Sequence, residues 1–379
     1  MSYRIVLIHS DQTHLAEKTK EAISTVLAEM PDVANALTVT DEISDESIPQ
    51  VVAYLASENA KMDDGVIQML DRASIDELAI LPVIVSGDED DVTRVLPESL
   101  SHINALTWRN EGLNVATSLL RMLGLLEDER KIFISYRRTE TFDLATQLHT
   151  ELVRRRFDVF LDRFSVDPGI DFQRRLDEEL GDKAFVLLLE SNKLHESEWV
   201  RHEIAFAHSH RIALLALTLP DCENRVPSID DAFRLKLEQS DLTELGDLSD
   251  TVLASVMEQI ELAHYRALRR RREQILESVS QKLSAEGCQS QLASDWCIYA
   301  TKQGGHKTGL FWVTPRRPGT IDFYGLSQEH ERVSQSGTRD LLGAVVHDSG
   351  RLADEYEDLM EWIVQLSQYE LATIESCSL

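Results

Sequence analysis

The stretch FVLLLESNKLHESEWVRHEIAFAHSHRIALLALTL, residues 185–219, decides the fold. Its ends, FVLLLES (185–191) and ALLALTL (213–219), are continuous apolar runs rather than alternating ones, so both faces of each strand need cover. Between them, ESEWVRHEIAFAHSH (196–210) reads as a helix. Strand, helix and strand of this kind imply a parallel sheet with helices on both faces. The same grammar continues outward. Upstream lie KIFISY (131–136), a helix with Leu144, Leu148 and Leu152 on one face, the strand FDVFLD (157–162), the polar loop RFSVDPGID (163–171) and a helix from Phe172. Downstream, LSDTVLASVMEQIELAHYRAL (248–268) is a long helix. Ligands of such sheets bind where the loops gather, at the carboxyl ends of the strands.

The helix at 196–210 carries Glu203 beside His202, with His208 and His210 following. A zinc-protease helix needs its two imidazoles about four residues apart, on one face. Here the partners of His202 come six and eight residues later, off that face, so the zinc reading fails and no metal site is expected. Ser197 is a natural N-cap, which starts the helix there and puts Glu203 in its second turn, on the same face as Trp199.

The chain has 379 residues, 43% hydrophobic and 27% charged, which is an ordinary globular composition too long for one core. A formal charge of −28 repels phosphate backbones and anionic membranes, so nucleic acid and membrane are not expected partners. The basic run Arg269–Arg272 reads as the solvated face of a linker helix. Cysteines 222, 288, 297 and 377 have neither paired metal spacing nor disulfide-scaffold density and are expected to be reduced. The opening MSYRIVLIHSDQ reads as a strand rather than a signal sequence, and a cytoplasmic protein is expected.

Three domains are expected: 1–127, 131–268 and 273–379. The first opens with YRIVLIHS (3–10) and has the buried run LAILPVIVS (78–86), then INALTW and the helix LNVATSLLRMLGLL (113–126), a layout like that of the second. Laying DDGVIQMLDRASIDELAI against SEWVRHEIAFAHSHRIAL sets Val66 on Val200, Met69 on Glu203 and Gly65 on Trp199. The first domain therefore reads as a diverged tandem copy; the alternative is an unrelated flavodoxin-like domain. In the third, WCIYATK (296–302), GLFWVTP (309–315) and TIDFYGLS (320–327) read as strands of an antiparallel meander in a small α+β domain, closed by a helix around EYEDLMEWIVQL.

Four pieces of the middle domain, FISYRR (133–138), DVFLDRFSVDPGIDF (158–172), FVLLLES and SEWVRHEI (197–204), occur in the order and spacing of TIR domains, which the chain resembles from Lys131 to Leu268. The resemblance implies a flavodoxin-like parallel sheet. It also implies, for the members that cleave NAD, that the glutamate four residues after the tryptophan is catalytic, which is Glu203 here. Tyr136, Arg137, Asp162, Phe172 and Trp199 then correspond to substrate-binding positions, SVDPGIDF to the loop over the site, and Arg137 to a donor that keeps Glu203 ionised. NAD is substrate, so no cofactor is implied.

One carboxylate suffices for that chemistry. Nicotinamide leaves a cationic pyridinium as a neutral base and needs no general acid; what requires stabilising is the positive charge growing on the ribose. The resemblance further implies assembly through TIR–TIR contacts, an unknown activator, and a role in bacterial antiviral defence. Plainer readings of the same residues are a solvated helix glutamate, a core tryptophan, a surface arginine pair, a turn-capping Asp162, and packing by Tyr136 and Phe172. Two other functions compete with the enzyme: an adaptor that only binds other TIR domains, and a module that binds a cyclic ADP-ribose signal. With Met69 in place of Glu203, the first domain is expected to be inactive on NAD.

Overall fold

Every side chain of strand Phe185–Glu190 is buried, and its residues alternate between two cores. Leu187 and Leu189 join Leu144, Leu148 and Leu152 on one face, while Val186 packs with Leu176 and Ala207, and Leu188 with Val200, on the other. This is the period of two that a doubly covered sheet requires. The computed structural model describes residues 3–45, 47–85, 94–100, 105–161, 172–183, 185–294, 296–302, 308–335, 341–348 and 354–379. They form two units, Met1–Glu129 and Arg130–Leu379. Among the described residues, no helix is long and apolar enough to cross a membrane.

In the first unit the elements are β1 (Tyr3–Ile8), α1 (Thr13–Val26), α2 (Pro31–Ala36), β2 (Leu37–Thr40), β3 (Gln50–Leu55), α3 (Glu58–Met62), α4 (Asp64–Ile75), β4 (Ala79–Ile84), β5 (Leu106–Thr107) and α5 (Leu113–Met122). The strands are all parallel, in the order β2-β1-β3-β4-β5. The central strand β3 was missing from the sequence reading, although QVVAYL, entirely buried, has the same continuous apolar signature as its neighbours.

The second unit begins with β6 (Lys131–Ser135), α6 (Arg138–Arg154), β7 (Asp158–Phe160), α7 (Phe172–Asp182), β8 (Phe185–Glu190), α8 (Glu198–Ser209), β9 (Ala213–Thr218) and β10 (Arg234–Lys236). Its parallel sheet runs β10-β9-β8-β6-β7, the same winding as the first. The registers agree too. Ile5 pairs with Val51 and Val51 with Ala79, as Ile132 pairs with Phe185 and Phe185 with Ala213. Helices α4 and α8 likewise start and stop alike. Asp63 and Ser197 cap them, and Glu77 and Arg211 follow their ends in the left-handed region. The N–H of Leu78 then donates to the Ala73 carbonyl at 2.9 Å, and that of Ile212 to the Ala207 carbonyl at 2.8 Å.

Helix α9 (Asp250–Ala285) leads without a break into β11 (Cys288–Ser294), β12 (Cys297–Lys302), β13 (Thr308–Thr314), α10 (Thr320–Gln335), β14 (Leu341–His347), α11 (Asp354–Leu366) and β15 (Glu370–Thr373). The third sheet is mixed: β12 and β13 are two of the expected antiparallel strands, the third member of the meander is β11, which the sequence analysis does not place, and β14 and β15 add in parallel. TIDFYGLS is a correction, because it opens helix α10 rather than forming a strand. Its apolar residues Phe323 and Leu326 are buried at helical spacing, while Tyr324 between them is exposed. Gly325 lets that helix approach β13 closely, since a Cβ there would lie 2.5 Å from the Trp312 ring.

The basic run is also a correction. Arg271 and Arg272 are buried rather than solvated. Arg271 donates to the His210 carbonyl at the end of α8 (3.1 Å), and Arg272 lies over the Trp296 ring at 4.8 Å. Four successive residues point all round a helix, and this one passes through a joint packed on both sides. All four cysteines are buried and unbridged.

The amino edge of the second sheet is clamped by charge. Asp182 accepts from Lys131 (2.7 Å) and lies 3.5 Å from Arg317 of the segment after β13, while buried Lys183 pairs with Asp158 (3.0 Å) and Glu179 (3.1 Å). Burial pushes the Asp182 carboxyl up, but Lys131, Lys183 and Arg317 outweigh it and hold the group below its ordinary value. A depressed carboxyl stabilises the fold above its unfolded pKa and ceases to as acid protonates it in the folded state. Asp182→Asn is therefore expected to cost about 3–5 kcal/mol at pH 7 in denaturant unfolding, with the gap to the native protein narrowing below about pH 4. An equal gap at pH 7 and pH 3 would show that the charge is not what stabilises.

Candidate active site

The chain leaves β6 for the edge strand β7 and returns to β8 on the opposite side of β6. Loops at the carboxyl ends of β6 and β8 therefore diverge, which is where parallel sheets open a crevice. Ser135 closes β6 there, and Tyr136 and Arg137 follow it. At the end of β8, the short turn Leu194–Glu196 leads into α8.

Ser197 caps α8 as its sequence suggests, accepting from the Val200 N–H at 3.4 Å. Glu203 is 6% exposed, on the face of α8 that also buries Val200 and Ala207. Its Oε2 accepts a hydrogen bond from the Ser135 hydroxyl, itself buried at the end of β6. The helix carboxylate thus turns back onto the end of β6 rather than out into water. Trp199, one turn earlier, is 50% exposed. Tyr136 is buried in the core beneath the α6 leucines.

Arg137 is engaged elsewhere than on Glu203. Its guanidinium donates to Glu196 at 2.7 Å and to the Lys193 carbonyl, and to Thr139 at 3.2 Å. The hydrogen bond from Arg137 holds the Glu196 carboxyl below the usual range. Arg137 therefore braces the turn that precedes α8. Asp162 lies outside the described residues, as does the loop 163–171; Phe172 begins α7, and its side chain is likewise outside them.

A second buried carboxylate stands at this edge, Glu190 at the end of β8. Arg234 donates to it at 3.1 Å, Thr218 at 2.7 Å and the Val226 N–H at 2.6 Å. Both of its oxygens are spent on joining β8, β9 and β10, which makes it a structural ion pair. The histidines of α8 face different partners: His202 meets Asp177 (2.6 Å), His208 meets Ser228 (2.8 Å), and His210 stacks on Phe206 with centroids 3.9 Å apart. Among the described residues, no grouping of His, Cys, Asp and Glu has the geometry of a metal site.

Residues 132–253 match the family model for TIR domains. This segment is a TIR domain. No curated protein matches the chain. Glu203 and Ser135 both fall within the TIR segment, as do Tyr136, Arg137 and Trp199. Ser135, the donor to Glu203, is not singled out by the sequence analysis. Its signal was a hydroxyl closing an otherwise apolar strand, on the face shared with Phe133.

Because Ser197 satisfies an N–H at the start of the helix that carries Glu203, Ser197→Ala is expected to cost about 1 kcal/mol in urea denaturation. An unchanged midpoint would mean that the cap contributes nothing.

Proposed function

We propose that the TIR domain cleaves NAD at the bond between nicotinamide and ribose, with Glu203 as the catalytic carboxylate. The observation that carries this reading is a carboxylate withdrawn from bulk water at the switch point of the sheet, bonded to a strand-end hydroxyl. In such surroundings its charge acts on a neighbouring cation with little screening. Nicotinamide departs with the bonding electron pair, Glu203 balances the ribosyl cation, and water adds with loss of a proton to give ADP-ribose. Attack by the adenine of the same molecule gives a cyclic isomer instead. Trp199 supplies an apolar wall, and Arg137 holds the turn that aims α8. Asp162 and Phe172 complete the nucleotide site on this reading.

TIR domains commonly self-associate, and we propose that activity here requires TIR–TIR assembly, released by a trigger in a bacterial antiviral setting. The first unit shares the winding and register of the TIR domain, and we take it as a TIR-like copy retained for assembly or sensing. Met69, packed against its core at the Glu203 position, offers no charge to a ribosyl cation.

The test is nicotinamide release from NAD by the full chain, across a series of protein concentrations with and without a crowding polymer. The native chain is expected to release nicotinamide, and Glu203→Ala to lose at least about a hundredfold of that rate. Full activity in the variant would sink the assignment. No release by the native chain anywhere in the series would favour the adaptor reading.

A further inference from the structure

We propose that Ser135 is a positioning residue for Glu203: its hydroxyl selects the rotamer of the carboxylate and holds it at the carboxyl end of β6. The inference rests on the reading of Glu203 given above and deepens it. Ser135 closes β6, which lies beside the central strand of the sheet, and its Oγ donates to Glu203 Oε2 with both side chains buried. A glutamate has three rotatable bonds, and burial alone does not choose among them. A donor fixed to a sheet strand does, and a hydrogen bond to a charged acceptor is among the stronger ones.

The first unit supplies an independent observation. Matching registers place Ile8, paired with Tyr54, where Ser135 is paired with Leu188. The capped helices α4 and α8 place Met69 where Glu203 stands. The hydroxyl and the carboxylate are thus replaced together by two apolar side chains, and Ile8 and Met69 pack into one core. An isolated serine kept for strand geometry would have no reason to vary with a residue on another element. A donor and its acceptor do, because either alone at a buried position costs the desolvation of an unmet polar group.

The experiment compares the full chain with Ser135→Ala, Ser135→Thr and Glu203→Ala by steady-state NAD cleavage and thermal unfolding. Ser135→Ala is expected to lower kcat roughly ten- to hundredfold with KM within about twofold of the native value. Ser135→Thr, which keeps the hydroxyl, is expected to recover most of that loss. Native kcat in Ser135→Ala would overturn the proposal. So would a loss that appears in KM or in the folded fraction, or a threonine variant no better than alanine. In each of those cases loss of activity in Glu203→Ala leaves the catalytic reading standing. A native chain that cleaves no NAD overturns both.

Discussion

Taking a carboxylate out of water is the constraint around which the TIR domain is arranged. An ionised group in the interior is tolerated only where donors or cations replace its hydration. The domain does this in three ways. Asp182 lies among three cations at the amino edge, and Glu190 is closed off by an arginine, a hydroxyl and a backbone N–H. Glu203, on a helix and not on a strand, accepts from the end of β6. The first two are joints between elements. The third stands at the place where the loops of a parallel sheet part.

The two α/β units show what a fold retains when the residues at one strand end differ. Sheet order, register, helix caps and left-handed helix ends are common to both, because each is set by backbone hydrogen bonding and by the period of apolar residues. At the strand end and second helical turn, serine and glutamate in one face isoleucine and methionine in the other. One places a hydrogen-bonded carboxylate at the end of β6, and the other places two apolar side chains in a core.

Helix α9 ties the third sheet to the TIR domain. It buries Met257 and Ile260 in the TIR core and Ile275 and Val279 in the core of the third sheet, and Arg271 between them holds the end of α8. Arg317 also reaches the Asp182 cluster from the third sheet's side of the chain, after β13. The helix that carries Glu203 is therefore held at its start by Arg137 and at its end by Arg271, one from each part of the unit.

The sequence by itself determined β6, β7, β8 and β9 of the TIR domain, their covering helices, the cap at Ser197 and the TIR motifs, since continuous apolar runs and helical spacing are local properties of the chain. It pointed to Glu203 only through the resemblance of its motifs to TIR domains. Tertiary structure alone decided the rest. The helix over 320–335 displaced a strand because Gly325 lets the helix close onto Trp312. Half of the arginine run went inside because both neighbours of the helix are packed. Arg137 turned to Glu196, and Ser135 became the donor to Glu203, because hydrogen-bond partners 59 and 68 positions apart are chosen by which strand end and helix face meet, which no local pattern records.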